Sequence, residues 1–354
     1  MNAMLAHELD ARKEQILWAV IREYVARAEP VPSEVVFEKY PLGVSPATIR
    51  SGMHALTEMG YLHQPHTSAG RVPTDRAYRL YVDRLLAAER GSASPEGGWR
   101  LSPAERDRIR RRLVAREVPE EALEEAVQTL ASLTEYPSVA STPRGSRRLR
   151  HVHLVPLAED RALLVLVAEG GAAEQRVLRL ERPASAEELE EVSRLVSRWL
   201  EAVAGQVQGE SLERLAAQAR SHRELLASVV AQLRRATAAR GSVRFFVEGV
   251  ANILKQPEFQ DVRRARPVLA ALDRQEVLRD VLLPAPPEVH VRIGRENPVD
   301  DMRDCSVVAA AYRVGGRAVG VVGVVGPTRM PYARTIALVR YLAQTLSETL
   351  SRAD

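Results

Sequence analysis

The stretch from Leu42 to Asp75, LGVSPATIRSGMHALTEMGYLHQPHTSAGRVPTD, limits what this chain can fold into more than any other. Ser45 is a good helix N-cap, because its hydroxyl can accept from an unpaired first-turn N–H, and Pro46 suits the first helical position, where a missing N–H costs nothing. Ile49, Met53 and Leu56 then recur at spacings of four and three, one apolar face of a 3.6-residue period, and Gly60 supplies a C-terminal stop. With that face buried, Ala47, Ser51, His54 and Glu58 point outward, flanked by Thr48 and Arg50. Tyr61 and Leu62 begin a short strand, and Val72 lies on the return strand across a turn at His66-Thr67-Ser68-Ala69-Gly70.

Upstream, Ile16, Leu17, Val20, Ile21, Tyr24 and Val25 form a helical stripe; Pro30 and Pro32 close it before Ser33 opens a second short helix through Tyr40. Three helices followed by a hairpin is the order of parts in a winged helix-turn-helix. In that arrangement the outward residues in the N-terminal half of the third helix reach base edges in the major groove. The residues expected at such an interface are Ser45, Ala47, Thr48, Arg50, Ser51 and His54 on the helix, with His66, Thr67, Ser68, Gly70 and Arg71 on the hairpin. Arg50 can fork onto guanine or clamp a phosphate, Ala47 can meet a thymine methyl, and Thr48 and Ser51 suit either bases or phosphate. A hairpin tip of this kind can lay backbone N–H groups and Arg71 against phosphate or into a minor groove. A polar, merely solvated face is the commoner explanation for any one helix; its neighbours are what favour nucleic acid here.

Composition argues less. A net charge of +4 from 50 basic and 46 acidic residues is mild for a nucleic-acid binder, so the inference rests on the local motif and not on a global field. Lys13, Lys39 and Lys255 are the only lysines, a bias that points to a GC-rich genome more than to a functional choice. A length of 354 residues suggests two or three domains. The single Cys305 excludes an internal disulfide and fits a reducing cytosol. No signal peptide is evident, and the longest apolar run, Ala318 to Val325, is too short to span a bilayer, so a soluble cytoplasmic protein without a membrane partner is expected.

Past the hairpin, Asp75 to Glu89 reads as a linking helix and Gly91 to Gly98 (GSASPEGG) as a linker, with helices expected from about Ser102 to Arg116 and from Pro119 to Leu133. HVHLVPL (His151 to Leu157), ALLVLVAE (Ala162 to Glu169) and EQRVLRL (Glu174 to Leu180) read as an antiparallel meander, followed by helical pattern through residues 185–239. Around that unit stand strand-like segments at Ser138 to Ser141, Arg244 to Gly249, Glu288 to Gly294, Ser306 to Val314 and Ala318 to Gly326, then a long helix from Tyr332 to Ser351. The fold class expected is α+β, with helices on an antiparallel sheet.

Several motifs resemble the heat-inducible transcription repressor family HrcA of bacteria: EPVPS (Glu29 to Ser33), SPATIR (Ser45 to Arg50) and above all QPHTSAGRVPTD (Gln64 to Asp75), together with ANILKQPEF (Ala251 to Phe259), DCS (Asp304 to Ser306) and GPTRMPYAR (Gly326 to Arg334). The resemblance covers nearly the whole chain. It implies a winged-helix domain at 1–90, a discontinuous GAF-like domain at 91–149 and 241–354, and an inserted dimerisation domain at 150–240. It further implies a homodimer on double-stranded DNA at an inverted-repeat, CIRCE-type operator upstream of chaperone genes, kept active by the GroE chaperonin. The chain departs from the family at Ser51 and Gly52, where Asn-Asp is usual, and at Pro32 and Pro331. A glycine inside a helix costs about 1 kcal/mol relative to alanine, which predicts a less rigid recognition helix.

Other chemistries fare worse. The glycines of GGRAVGVVGVVG (315–326) lack the phosphate-loop pattern and sit in strand-like sequence, where close backbone packing explains them. No nucleophile–base arrangement can be assembled, so neither an enzyme nor a cofactor is expected, and Cys305 reads as a structural thiol. His54, His63 and His66 raise the alternative of a metal-sensing repressor, which would need three or four converging ligands. A small-molecule sensor is a further alternative, and no residue cluster identifies its ligand.

Overall fold

The computed structural model describes residues 9–67, 69–90, 100–114, 119–142, 149–168, 173–180, 182–203, 225–231, 243–283 and 288–353. The expected linker at Gly91 to Gly98, the end of the helix expected to reach Arg116, and Ser68 lie outside them.

Helix α1 (Ala11–Arg27) starts at Asp10, whose carboxylate accepts from the Lys13 N–H at 2.8 Å, and buries Ile16, Leu17, Val20 and Ile21. Tyr24 and Val25 complete its stripe half-buried. Helix α2 (Ser33–Lys39) is braced to it through Glu23, a buried carboxylate 2.6 Å from Lys39 Nζ and 3.1 Å from Arg27 Nε. Helix α3 (Pro46–Glu58) follows, then a two-stranded antiparallel hairpin of β1 (Leu62–His63) and β2 (Val72–Pro73), then helix α4 (Asp75–Arg90). Helices α5 (Pro103–Val114) and α6 (Pro119–Thr134) lead into strand β3 (Ser138–Ser141).

There the chain leaves its first compact unit, Met1–Thr142 with Arg244–Ala353, and enters a second, Pro143–Val243. Strands β4 (Leu149–Ala158), β5 (Arg161–Ala168) and β6 (Ala173–Arg179) form an antiparallel meander covered on one face by helix α7 (Ala186–Val203). Val152, Leu154, Leu164, Leu166 and Leu178 alternate inward to meet Leu189, Val192 and Val196, with Leu225 and Val229 from a helical stretch at 225–231. The edge strand β4 is not left with all its donors open: the N–H groups of Val152 and Leu154 donate to Ser197 Oγ at 3.0 Å and to Ser193 Oγ at 2.8 Å. Of the helical pattern expected through 239, the parts at 204–224 and 232–239 lie outside the described residues.

The chain re-enters the first unit at strand β7 (Phe245–Glu248), continues through helices α8 (Val262–Asp273) and α9 (Gln275–Leu282), and adds β8 (His290–Ile293), β9 (Cys305–Val314), β10 (Arg317–Pro327) and the long helix α10 (Tyr332–Ala353). One antiparallel sheet results, in the order β7-β3-β10-β9-β8, with α10 packed along β9 and against α6. Strands β9 and β10 are buried along most of their length, which is why they read as runs of Val and Ala instead of alternating. The Tyr312 ring crosses β10 where a Cβ on Gly320 would come within 2.3 Å of it, and its hydroxyl donates to the Ser141 carbonyl at 2.6 Å. Cys305 is buried and free at the start of β9, and burial pushes its thiol pKa up. The class is α+β. Among the described residues no helix is long and apolar enough to cross a membrane.

Strands β3 and β7 are neighbours paired through Ser141 and Phe245, and the Thr142 N–H donates to the Arg244 carbonyl at 2.7 Å. The segment between residues 142 and 244 therefore leaves and returns through adjoining strand ends.

Candidate nucleic-acid interface

The N-terminus of α3 is capped as its sequence requires: Ser45 Oγ accepts from the Thr48 N–H at 3.2 Å and lies 2.9 Å from Thr48 Oγ1. Ser45 and Thr48 thus spend their hydroxyls partly on each other. Ile49, Met53 and Leu56 are buried. Ala47, Arg50, Ser51, His54 and Glu58 stand exposed on the opposite side. At the C-terminus Gly60 adopts a left-handed φ of 76°, its N–H donates to the Thr57 carbonyl, and the Tyr61 N–H donates to the Leu56 carbonyl at 2.9 Å. That pair of bonds ends the helix and turns the chain into β1. Arg76, which no sequence pattern marks, donates to the Met59 carbonyl at 2.8 Å and stacks on the Tyr61 ring, a cation at the negative end of the helix.

The exposed face carries a solvent-facing ion pair. Arg50 Nη2 lies 2.8 Å from Glu34 Oε1 of α2, with the two side chains 74% and 60% exposed. The Glu34 carboxyl is held below the usual carboxylate range by a backbone N–H and by Arg50. So exposed a pair is worth little and can be exchanged for a phosphate or a base edge. His54 Nδ1 stands 3.7 Å from Glu58 Oε1.

Beside α3 the hairpin tip is tied by Gln64, another residue outside the sequence-based set, whose Nε2 donates to the carbonyls of Thr67 and Ala69 at 2.8 and 2.9 Å. Its only signal in the sequence is its place at the head of QPHTSAGRVPTD. His66 and Thr67 are exposed there. Gly70 and Arg71 are placed differently from a free DNA-facing loop. Arg71 exchanges both backbone hydrogen bonds with Val31, and a Cβ on Gly70 would lie 2.3 Å from the Val31 carbonyl carbon, so glycine is what lets the hairpin close on that segment. The Arg71 side chain turns back to α3, its Nε donating to Thr57 Oγ1 at 3.0 Å. The histidines do not converge: among the described residues no group of three or more His, Cys, Asp or Glu could hold a metal ion.

Two ties fix these helices to the rest of their unit. Arg329, on the loop after β10, donates through Nη1 to the Val25 carbonyl in the last turn of α1 at 2.7 Å and through Nε to Glu258 Oε1 at 2.6 Å. Burial opposes its charge, but the Glu258 bonds outweigh that and hold its pKa above the ordinary value. Arg79 of α4 grips both Glu296 carboxylate oxygens, at 2.8 and 2.6 Å, and the Val291 carbonyl. Tyr78 packs on Tyr332, ring centroids 5.7 Å apart.

Comparison with known proteins gives this arrangement a lineage. A family model described as the HrcA protein C terminal domain matches residues 120–336. The chain belongs to the HrcA family. The heat-inducible transcription repressor HrcA of Moorella thermoacetica is 38% identical over 356 residues, spanning 97% of this chain and 98% of its own length. The protein of the same name from Geobacter sulfurreducens is 38% identical over 350 residues, with the same coverage. A crystal structure described only as that of a hypothetical protein aligns over 98% of this chain and all of its own, with a TM-score of 0.62 at 23% identity, and shares the fold. Read onto this HrcA-family chain, QPHTSAGRVPTD builds the hairpin and the start of α4, and ANILKQPEF and GPTRMPYAR meet through Glu258 and Arg329.

Proposed function

We infer that this chain represses transcription of heat-shock genes by occupying DNA through α3 and the β1–β2 hairpin. Family membership makes it a heat-shock transcription repressor and not an enzyme. The observation that carries the DNA reading is the two-sided α3: an apolar face sunk in the core, and an exposed face of Ala47, Arg50, Ser51 and His54 beside a hairpin tip bearing His66 and Thr67. On this reading the three helices and hairpin are a winged helix-turn-helix, the five-stranded sheet with its helices is a GAF-like domain, and residues 150–240 are a dimerisation insert. Two-fold symmetry then calls for an inverted repeat, one half-site per α3. The CIRCE-type identity of that repeat, maintenance by the GroE chaperonin and a cytoplasmic setting are supported by the resemblance alone.

The test is fluorescence anisotropy on an inverted-repeat duplex and on a scrambled one across a salt series. Preference for the repeat supports the reading, and the slope counts phosphate contacts at about 0.9 per phosphate. Equal weak binding to both, with chaperonin present, would sink it. Replacing residues 143–243 by a two-residue turn is feasible because Thr142 and Arg244 are already hydrogen-bonded. The product should fold and sediment as a monomer; a dimer would remove the insert from the dimerisation role.

A further inference from the structure

The last carbonyls of a helix have no partner within it, and the helix end favours a positive charge. At the end of α1 that vacancy is filled from 304 positions along the chain, by Arg329 on the Val25 carbonyl. Arg329 is 8% exposed. Its planar fork reaches two ways at once: Nη1 to α1, and Nε with Nη2 to the Glu258 carboxylate at 2.6 and 3.3 Å. A point-charge ammonium could not keep both directions fixed.

The geometry extends to the DNA-facing helix. α1 packs on α3, where Ile16 Cδ1 fills the space a Cβ on Gly52 would need, and its other end is tied to α4 by Glu14 and Arg84 at 2.9 Å. α4 in turn is held by Arg79 on Glu296 and Val291. The Arg79 and Arg329 ties, on different helices, add directional bonds to the Tyr78–Tyr332 packing that joins these helices to the rest of the unit. We propose that Arg329, backed by Glu258, is a positioning residue that fixes the angle of α3 against the sheet of its unit and thereby the half-site spacing that the dimer accepts. This rests on the inverted-repeat reading. Rigid linkage of two heads is what turns two weak contacts into one strong one, with gains of about 10²–10⁴-fold when geometry permits both.

The variant is Arg329→Met with Glu258→Gln, which removes the tie without leaving a half-buried charge alone. Full-length wild type and variant are measured by anisotropy on a duplex with one half-site, on the inverted repeat, and on repeats lengthened or shortened by one and two base pairs; ultracentrifugation checks the dimer. The variant should bind the single half-site within about twofold of wild type, lose about tenfold or more on the repeat, and discriminate less among spacings. Arg329→Lys should fall between. Wild-type affinity and spacing preference in the variant would overturn the proposal, as would an equal loss on the single half-site, which would mean damage to the head itself. A wild type that ignores the repeat overturns the operator reading first, a result visible before any variant is made.

Discussion

Arg50 and Arg329 each face a carboxylate within 2.8 Å, and the two pairs do opposite things. Arg50 and Glu34 are both mostly in water, so their attraction is screened and the guanidinium is free to change partners. Arg329 and Glu258 retain side-chain exposures of only 10% and 21%, so removing either partner strands the other in a medium that solvates it poorly. The same chemistry is an exchangeable surface pair in one place and a rivet in the other. What separates them is solvent access, which no pair of residue names reveals.

The largest effect should come from breaking the rivet. Arg329→Ala should lower stability by about 2–4 kcal/mol in thermal or urea unfolding, the lower end reflecting the residual exposure of Glu258; a loss below about 0.5 kcal/mol would erase the contrast with Arg50. Next is Gly70→Ala, whose new methyl would meet the Val31 backbone at 2.3 Å, where nothing flexible can yield. It should cost about 1–3 kcal/mol and weaken DNA binding by loosening the hairpin. Arg50→Ala should leave the melting midpoint unchanged and cost about 1–3 kcal/mol of operator binding, with relaxed preference at one position per half-site if the contact is to a base. An equal loss on every sequence would make it a phosphate contact. Glu34→Ala sharpens the same point: releasing Arg50 and deleting a negative charge near DNA should tighten binding about two- to fivefold, mainly through the association rate. The smallest effect belongs to Gly52→Ala. Its helix-propensity gain of about 1 kcal/mol is opposed by the Ile16 Cδ1 atom at 2.6 Å, a side-chain end that can rotate away, so stability should stay within about 1 kcal/mol of wild type.

Gly52 also marks where local reading falls short. A glycine in mid-helix predicts a looser helix; that its missing side chain leaves room for Ile16 Cδ1 of α1, 2.6 Å from where a Cβ would stand, is a tertiary fact that propensity does not carry. The sequence places Gly70 and Arg71 on the hairpin, and only the tertiary structure shows that they also meet the Val31 backbone and Thr57. In contrast, the cap at Ser45, the buried face of Ile49, Met53 and Leu56, the stop at Gly60, the five sheet strands and the meander were all legible, because capping and periodicity act over one or two turns or along one strand. The roles of Gln64 and Arg76 are not legible in the sequence, because a polar side chain bonded to a carbonyl leaves no periodic mark.

Sequence by itself determined the α+β class, the helix–hairpin order, the family and which face of α3 is apolar. Tertiary structure alone decided that Glu34 holds Arg50, that Val31 demands a glycine at position 70, and that α1 ends on an arginine from beyond the final strand. Local elements are written in short-range spacing, whereas the partners of charges and of close-packed backbone come from segments far apart in the chain and are chosen by burial, which exists only once the chain has folded.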